Sequence, residues 1–183
     1  MKKVIFACFS LATLSMAFSQ LSAQASHYKL KKTFHITSTG GWDYITINPS
    51  SNKLYMSHGT QVNILDKITG DSLGVITNTN GVHGIAFINN LQKGYTSNGR
   101  TNDVTVFDLN TNAVITKIAT GENPDAIFYE EFAKRIITCN GKSKDLSIID
   151  PSTNKVIATI PVGGKPETAV SDNAGNILFK CRR

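Results

Sequence analysis

The chain of 183 residues has few of the residues and motifs that mark enzymes or metal proteins. It contains three cysteines and one tryptophan, and aromatic residues make up only 8 %. It has no His-Glu-x-x-His motif, no complete phosphate-binding loop and no Cys-x-x-Cys-His haem motif. The pair Gly40-Gly41 is too short to surround a phosphate group. No cofactor is therefore predicted, although an enzyme whose site is assembled from separate segments would carry none of these signatures.

Long apolar runs are also scarce, and the one clear example lies at the N terminus. Lys2 and Lys3 precede an apolar stretch from Val4 to Phe18, and Ala23-Gln24-Ala25 follows it. This order is typical of a secretory signal peptide, so we predict one over residues 1–25 with cleavage before Ser26. A buried or membrane helix is the alternative, and the shortness of the segment disfavours it. The signal peptide predicts a periplasmic or secreted protein.

What the chain does have is an internal repeat. Three aspartates lie 42 residues apart, and each ends an alternating apolar run and precedes a polar turn: Asp66, Asp108 and Asp150. We expect each carboxylate to accept a hydrogen bond from the backbone N–H two residues further on. Cys139 and Cys181 share the same spacing, which places them in adjacent repeats and not necessarily within bridging distance.

Each repeat contains four short segments with period-2 alternation, which indicates β-strands, while helix content should be near zero. Four antiparallel strands recurring every 40–45 residues are typical of a β-propeller. We therefore predict an all-β partial propeller with about three and a half of a probable seven blades; a β-sandwich is the alternative. The predicted units are an outer strand over 28–36, blades over about 43–76, 83–118 and 125–160, and an incomplete blade over 167–183.

The segment 157–167 resembles the YVTN-type β-propeller repeat, in which a valine-glycine pair and a proline precede the innermost strand; here these are Val162-Gly163 and Pro166. Weaker copies occur over 115–125 and near 81–84. The order of residues over 96–100 and 138–145 is similar to the YncE-like exported bacterial members of that family. The resemblance implies the propeller fold and says almost nothing about activity. It also implies a longer ring, so we expect a truncated family member or a chain completed by a second polypeptide, with possible self-association through open blade edges.

The topology of such blades predicts where ligands would bind. The first strand of each blade lies at the central channel, and the residues that open these strands should surround the channel mouth: Asp43, His83, Asp125 and Glu167. The loops beside them should carry His58, Arg100 and Lys142, with Trp42 as a surface for stacking or a packing residue between blades. Loops and edges on a rigid scaffold commonly carry function. Carboxylates with one imidazole are also an acceptable set of metal ligands.

Three functional hypotheses follow from the predicted fold and the residues at the channel mouth. The first is a non-catalytic scaffold that binds an unknown ligand or protein outside the cytoplasm. The second is a quinone- or metal-dependent enzyme, an oxidoreductase or hydrolase with its site at the channel mouth. The third is nucleic-acid binding through Arg100, Lys142 and Trp42, which requires affinity that falls steeply with salt.

Overall fold

The computed structural model describes residues 28–36 and 40–182 of the chain. The predicted signal peptide over 1–25 lies outside these residues. Among the described residues, no helix has the length and apolar character needed to cross a membrane. A single 3₁₀ turn, Asn89–Leu91, is the one helical element that the described residues contain.

In residues 28–36 and 40–182, fourteen strands make three four-stranded sheets and one two-stranded sheet. The first sheet contains β1 (Trp42–Ile47), β2 (Lys53–His58), β3 (Gln61–Asp66) and β4 (Ser72–Ile76). The second contains β5 (Val82–Ile88), β6 (Lys93–Asn98), β7 (Asp103–Asp108) and β8 (Val114–Ala119). The third contains β9 (Pro124–Glu130), β10 (Arg135–Asn140), β11 (Asp145–Asp150) and β12 (Lys155–Pro161). The fourth contains β13 (Lys165–Ser171) and β14 (Ile177–Arg182).

Within each sheet, every strand pairs antiparallel with the strand that precedes or follows it in sequence. The sheets are therefore blades, and the first strands β1, β5, β9 and β13 lie side by side as the inner strands. The predicted fold class, an all-β partial propeller of about three and a half blades, is confirmed.

The N-terminal segment differs from the prediction. Residues 28–36, predicted as an outer strand, have no regular secondary structure. An outer strand of a propeller pairs with the third strand of a blade. In the described residues, each third strand (β3, β7 and β11) already pairs with the strand that follows it.

Apolar side chains between neighbouring blades form the core. Because successive side chains of a strand point to opposite faces, one strand contributes to two interfaces. In β7, Val104 and Val106 pack toward the third blade, while Phe107 packs toward Tyr55 of the first blade. A third cluster joins the third blade, through Ile137 and Cys139, to Ala169 of the fourth. Burying both faces of each middle sheet in this way is what holds a propeller together.

One lysine of each of the first two blades also contacts the next blade. The ammonium group of Lys53 donates to the carbonyl oxygen of Leu109 at 2.5 Å and to Oδ1 of Asn112 at 3.1 Å. Lys93 makes the equivalent bonds to Pro151 at 2.7 Å and Asn154 at 3.1 Å. The repetition shows that the turn between the third and fourth strands of one blade is anchored by the second strand of the blade before it.

The predicted role of the repeated aspartates is confirmed. Oδ1 of each carboxylate accepts a hydrogen bond from the backbone N–H two residues on: Asp66 from Ile68 at 2.8 Å, Asp108 from Asn110 at 2.9 Å and Asp150 from Ser152 at 3.0 Å. These bonds close the turns that lead from the third to the fourth strand of each blade.

Candidate functional site

A β-bulge in every inner strand positions the predicted channel-mouth residues. In β5, Val82 pairs with Asn98 and Ile85 with Thr96, so three steps along β5 match two steps along β6. The same extra residue occurs in the other inner strands, β1, β9 and β13. The bulges contain Asp43, His83, Asp125 and Glu167. A bulge redirects side chains at the edge of a sheet and is common next to functional sites.

A hydroxyl group on the second strand fixes the bulge in the first two blades. Ser57 Oγ accepts the Tyr44 N–H at 2.7 Å, and Ser97 Oγ accepts the Gly84 N–H at 2.9 Å. Ser97 Oγ also donates to the carbonyl oxygen of Asp125 in the next blade. Cys139 occupies the equivalent position of the third blade, where burial raises the pKa of its thiol to about 12, with the Asp125 charge as a smaller cause.

Asp43 and His83 form a short contact between the first and second blades. Oδ2 of Asp43 lies 2.6 Å from Nδ1 of His83. The two side chains keep 43 % and 30 % of their surface exposed, so the pair faces solvent. A carboxylate at this distance fixes the ring orientation and favours a proton on Nδ1.

Tyr44 extends the cluster to the third blade. Its hydroxyl group donates to Oδ1 of Asp125 at 3.4 Å. Burial raises the pKa of the Asp125 carboxyl; the nearby His83 opposes this rise, and the charges of Asp43 and Glu167 add to it. The pKa of Tyr44 is raised to about 12 by burial and by the charges of Asp125 and Asp43. Side chains from three consecutive blades therefore form one polar cluster, which we call the inner cluster: Asp43, Tyr44, His83 and Asp125.

Glu167 stands apart from the hydrogen bonds of this cluster. Its Oε1 lies 3.0 Å from the ammonium group of Lys165, and this contact lowers the pKa of the Glu167 carboxyl. Its charge still acts on Asp125, but its ion pair is made within its own strand, β13.

The aromatic residue expected at the mouth is used in part for packing. Trp42 stacks on His58, with ring centroids 4.0 Å apart and planes inclined by 10°. The two residues pair directly across β1 and β2. His58 is buried, whereas Trp42 keeps 45 % of its surface exposed. The outer face of the indole ring is thus available for a ligand.

The two loop cations differ in their surroundings. Lys142 lies 3.1 Å from Oε2 of Glu122, so a carboxylate neutralises it. Arg100 forms no ion pair with any carboxylate in the part of the chain that the structure describes. Arg100 lines a cavity of about 480 Å³ together with the following residues: Gly40, Gly41, His58, Gly59, Thr60 and Gln61.

Reasoning from the sequence missed two features of the site. Tyr44 was not predicted to take part, although the other blades carry Gly84, Ala126 and Thr168 at its position, which made it the odd residue of the repeat. The segment Gly70-Asp71-Ser72-Leu73-Gly74 also fits the Gly-x-Ser-x-Gly pattern of serine hydrolases. Gly70 and Asp71 lie in the turn after β3, and Ser72 begins β4. The nucleophile of those enzymes instead requires a strand, a tight turn and then a helix.

The chemistry of the inner cluster is that of hydrogen bonding and charge. It offers two carboxylates, one imidazole and one phenol, which can bind hydroxyl or amine groups. Within residues 28–36 and 40–182, no group of three or more histidine, cysteine, aspartate or glutamate side chains is arranged to hold a metal ion. The metal alternative therefore has no support from the geometry of the described residues.

Comparison with known proteins supports the fold. No family model matches the chain, and no curated protein matches it. Among solved structures, hydrazine synthase of Kuenenia stuttgartiensis is similar, with a TM-score of 0.72 and 18 % identity over 83 % of this chain and 45 % of that one. The WD40 β-propeller domain of Doa1 is similar with a TM-score of 0.66 and 11 % identity, over 76 % of this chain and 47 % of that one.

The chain spans less than half the length of either structure. Sequence identities this low support a shared fold but not a shared function. The β-propeller fold thus rests on both the strand topology and the comparison, while the resemblance to YVTN-type repeats stays a prediction.

Proposed function

We propose that this protein is a non-catalytic binding scaffold of the YVTN-repeat type, exported from the cytoplasm, that holds a polar ligand at the inner cluster. The observation that carries the proposal is the convergence of Asp43, Tyr44, His83 and Asp125 from three consecutive blades. Each blade contributes one or two of these polar groups, and the bulges bring the groups of three blades to one place. Ligands are commonly bound where loops and strand ends of a rigid scaffold meet.

The charge of the cluster indicates the kind of ligand. Two carboxylates face one imidazole, and burial together with the neighbouring carboxylate charges raises the pKa of Asp125. A cationic amine would relieve the repulsion between carboxylates, and a hydroxyl group would complete their hydrogen bonds. We therefore favour an amine- or hydroxyl-bearing small molecule over an anion at this position.

Binding measured by isothermal titration calorimetry tests the proposal. A screen of monosaccharides, amino alcohols and short diamines should yield at least one ligand for the unaltered protein. Asp125→Asn should then weaken binding at least tenfold, about 1.4 kcal/mol. Glu167→Gln is the matched control, because Glu167 occupies the equivalent position of the fourth blade but pairs with Lys165. The affinity of this variant for the ligand should change by less than about threefold. Equal losses in both variants would show that overall charge, and not the inner cluster, determines binding.

A hydrolase is the second candidate function, and the contact between Asp43 and His83 is the observation that favours it. A carboxylate bonded to Nδ1 leaves Nε2 of a histidine as a possible general base. Turnover of ester or phosphoester substrates that disappears in His83→Gln would establish this function. Unchanged residual turnover in that variant would assign the activity to a contaminant and remove the candidate.

Nucleic-acid binding stays a prediction with little structural support. Glu122 neutralises Lys142, and one face of Trp42 is covered by His58. Binding of a single-stranded oligonucleotide should weaken steeply between low and physiological salt if this function is real. Salt-independent binding would contradict it.

A further inference from the structure

The cavity beside Arg100 exists because the first blade has a shorter turn than the others. Two residues, Gly59 and Thr60, join β2 to β3, whereas four residues join the second and third strands of the next two blades, over 99–102 and 141–144. In the second blade, the last of these four, Asn102, uses its side-chain oxygen to accept the Asn123 N–H at 2.8 Å. The short turn of the first blade ends in Thr60, and an open cavity of about 480 Å³ lies there.

The cavity is cationic because two acidic positions of the repeat are replaced at this point. Asp103 and Asp145 begin the third strands of the second and third blades, and Gln61 begins that of the first. Glu122, which neutralises Lys142, corresponds to Asn80 one repeat earlier. The correspondence is structural, because the N–H of Lys142 bonds to the carbonyl oxygen of Glu122 at 3.0 Å and the N–H of Arg100 to that of Asn80 at 3.2 Å.

The backbone holds Arg100 at the cavity wall. Gly81 has a φ of +66°, and a Cβ built on it would lie 2.6 Å from Cγ of Arg100 and 2.9 Å from its backbone nitrogen. The stem of Arg100 therefore rests directly on the Gly81 backbone. The guanidinium group presents five N–H donors. Among the residues that the structure describes, no acidic side chain lines the cavity.

We propose that this cavity binds an oxyanion group, a carboxylate or a phosphate, of a small ligand. An arginine is suited to both groups because its donors match two oxygens at once. Thr60 and Gln61 supply further polar groups on the wall. The site is separate from the inner cluster, whose carboxylates would repel the same anion, and it requires no ligand at that cluster.

An NMR titration tests the proposal. Inorganic phosphate or acetate is added to the purified protein at constant ionic strength, and the backbone amide signals are followed. The signals of Gly59 and Thr60 should shift and saturate for at least one anion, with a dissociation constant of about 1–10 mM. Phosphate alone would identify a phosphoester ligand, and both anions a general oxyanion site. Arg100→Gln should weaken binding at least about tenfold. Lys142→Gln, at the equivalent position of the third blade, should change it by less than about twofold.

A second variant tests the charge argument without removing the arginine. Asn80→Glu places a carboxylate where Glu122 stands relative to Lys142, so it should abolish the anion-dependent shifts while the other amide signals keep their positions. Absence of saturable shifts at Gly59 and Thr60 in the unaltered protein would overturn the proposal. Equal losses in Arg100→Gln and Lys142→Gln would overturn it too, because they would indicate unspecific attraction. Ligands that shift only the signals of Tyr44 and His83 would support the inner cluster and contradict this second site.

Discussion

Gly94→Ala should destabilise the protein strongly, because Gly94 lies directly opposite Phe107 in the ladder between β6 and β7. A Cβ added at Gly94 would lie 2.1 Å from Cζ of Phe107. Carbon atoms pack at about 3.5–4.0 Å, so the ring would have to move by roughly 1.5 Å. Phe107 is fully buried, and overpacking of a core costs about 1–3 kcal/mol. We expect the free energy of unfolding to decrease by an amount near the upper end of this range, about 3 kcal/mol.

The repeat itself suggests how to rescue this variant. The equivalent cross-strand pairs combine different sizes of side chain: Leu54 with Leu65, Gly94 with Phe107, and Ile136 with Ile149. Phe107→Ile alone leaves a cavity and should cost about 1–2 kcal/mol, and Gly94→Ile alone overpacks the site more than alanine does. Together they recreate the pair of the third blade. The double variant should therefore lie within about 1 kcal/mol of the unaltered protein, with a coupling energy of at least about 2 kcal/mol.

Urea denaturation followed by fluorescence and circular dichroism measures these differences. Gly41→Ala is the control, because a Cβ at Gly41 would meet no atom within 4 Å; its free energy of unfolding should change by less than about 0.5 kcal/mol. Additive losses of stability in the double variant would contradict this expectation, since they would mean that positions 94 and 107 do not share one space.

Three further predictions concern the turns, the thiol and the exposed faces. Hydrogen bonds from backbone N–H groups hold the pKa of the repeated aspartates below the ordinary 3.8 (Asp66, Asp108 and Asp150). Their stabilising contribution is present above the ordinary pKa of 3.8 and is lost as the pH falls through the lower pKa of the folded state. The free energy of unfolding should therefore decrease as the pH is lowered below about 4, and a constant value in acid would contradict this. The pKa of about 12 for Cys139 leaves roughly one thiol in 10⁴ ionised at pH 8, so iodoacetamide should label it far more slowly than the unfolded protein. Labelling at equal rates would be inconsistent with its burial. Ile45 and Ile47 of β1 are 65 % and 55 % exposed, and we expect a second copy of the chain to cover them. Analytical sedimentation should show a molar mass that rises with protein concentration and is lower in the double variant Ile45→Ser/Ile47→Ser. An unchanged mass in that variant would exclude this face as the interface.

The sequence sufficed for the blades because the features that define them are local and repeated. The spacing of Asp66, Asp108 and Asp150 marks the end of each third strand, and period-2 alternation gives the faces of the strands on either side. The order of strands within a sheet then follows, since antiparallel neighbours need only short turns. The pattern of residues 28–36 allows a strand, but strand formation also needs a partner edge, and these residues have no regular secondary structure.

The inner cluster could be predicted only in part. Shared position in the repeat brought Asp43, His83 and Asp125 to one end of the inner strands, but it could not show that Asp43 contacts His83 at 2.6 Å. The hydrogen bond from Tyr44 to Asp125 depends on the close approach of the second and third blades at Gly84, where an added Cβ would lie 3.2 Å from the carbonyl oxygen of Asp125. Such a distance follows from the packing of whole sheets and has no signature in either strand alone.

Side chains from three blades should act as one binding site at the inner cluster. NMR can test this. The ligand that binds most tightly in the amine and hydroxyl screen is added, and the backbone amide signals that shift are mapped. We expect saturable changes at Tyr44, His83 and Asp125 together, with one common dissociation constant. Changes confined to one blade, or located away from these three residues, would contradict the claim.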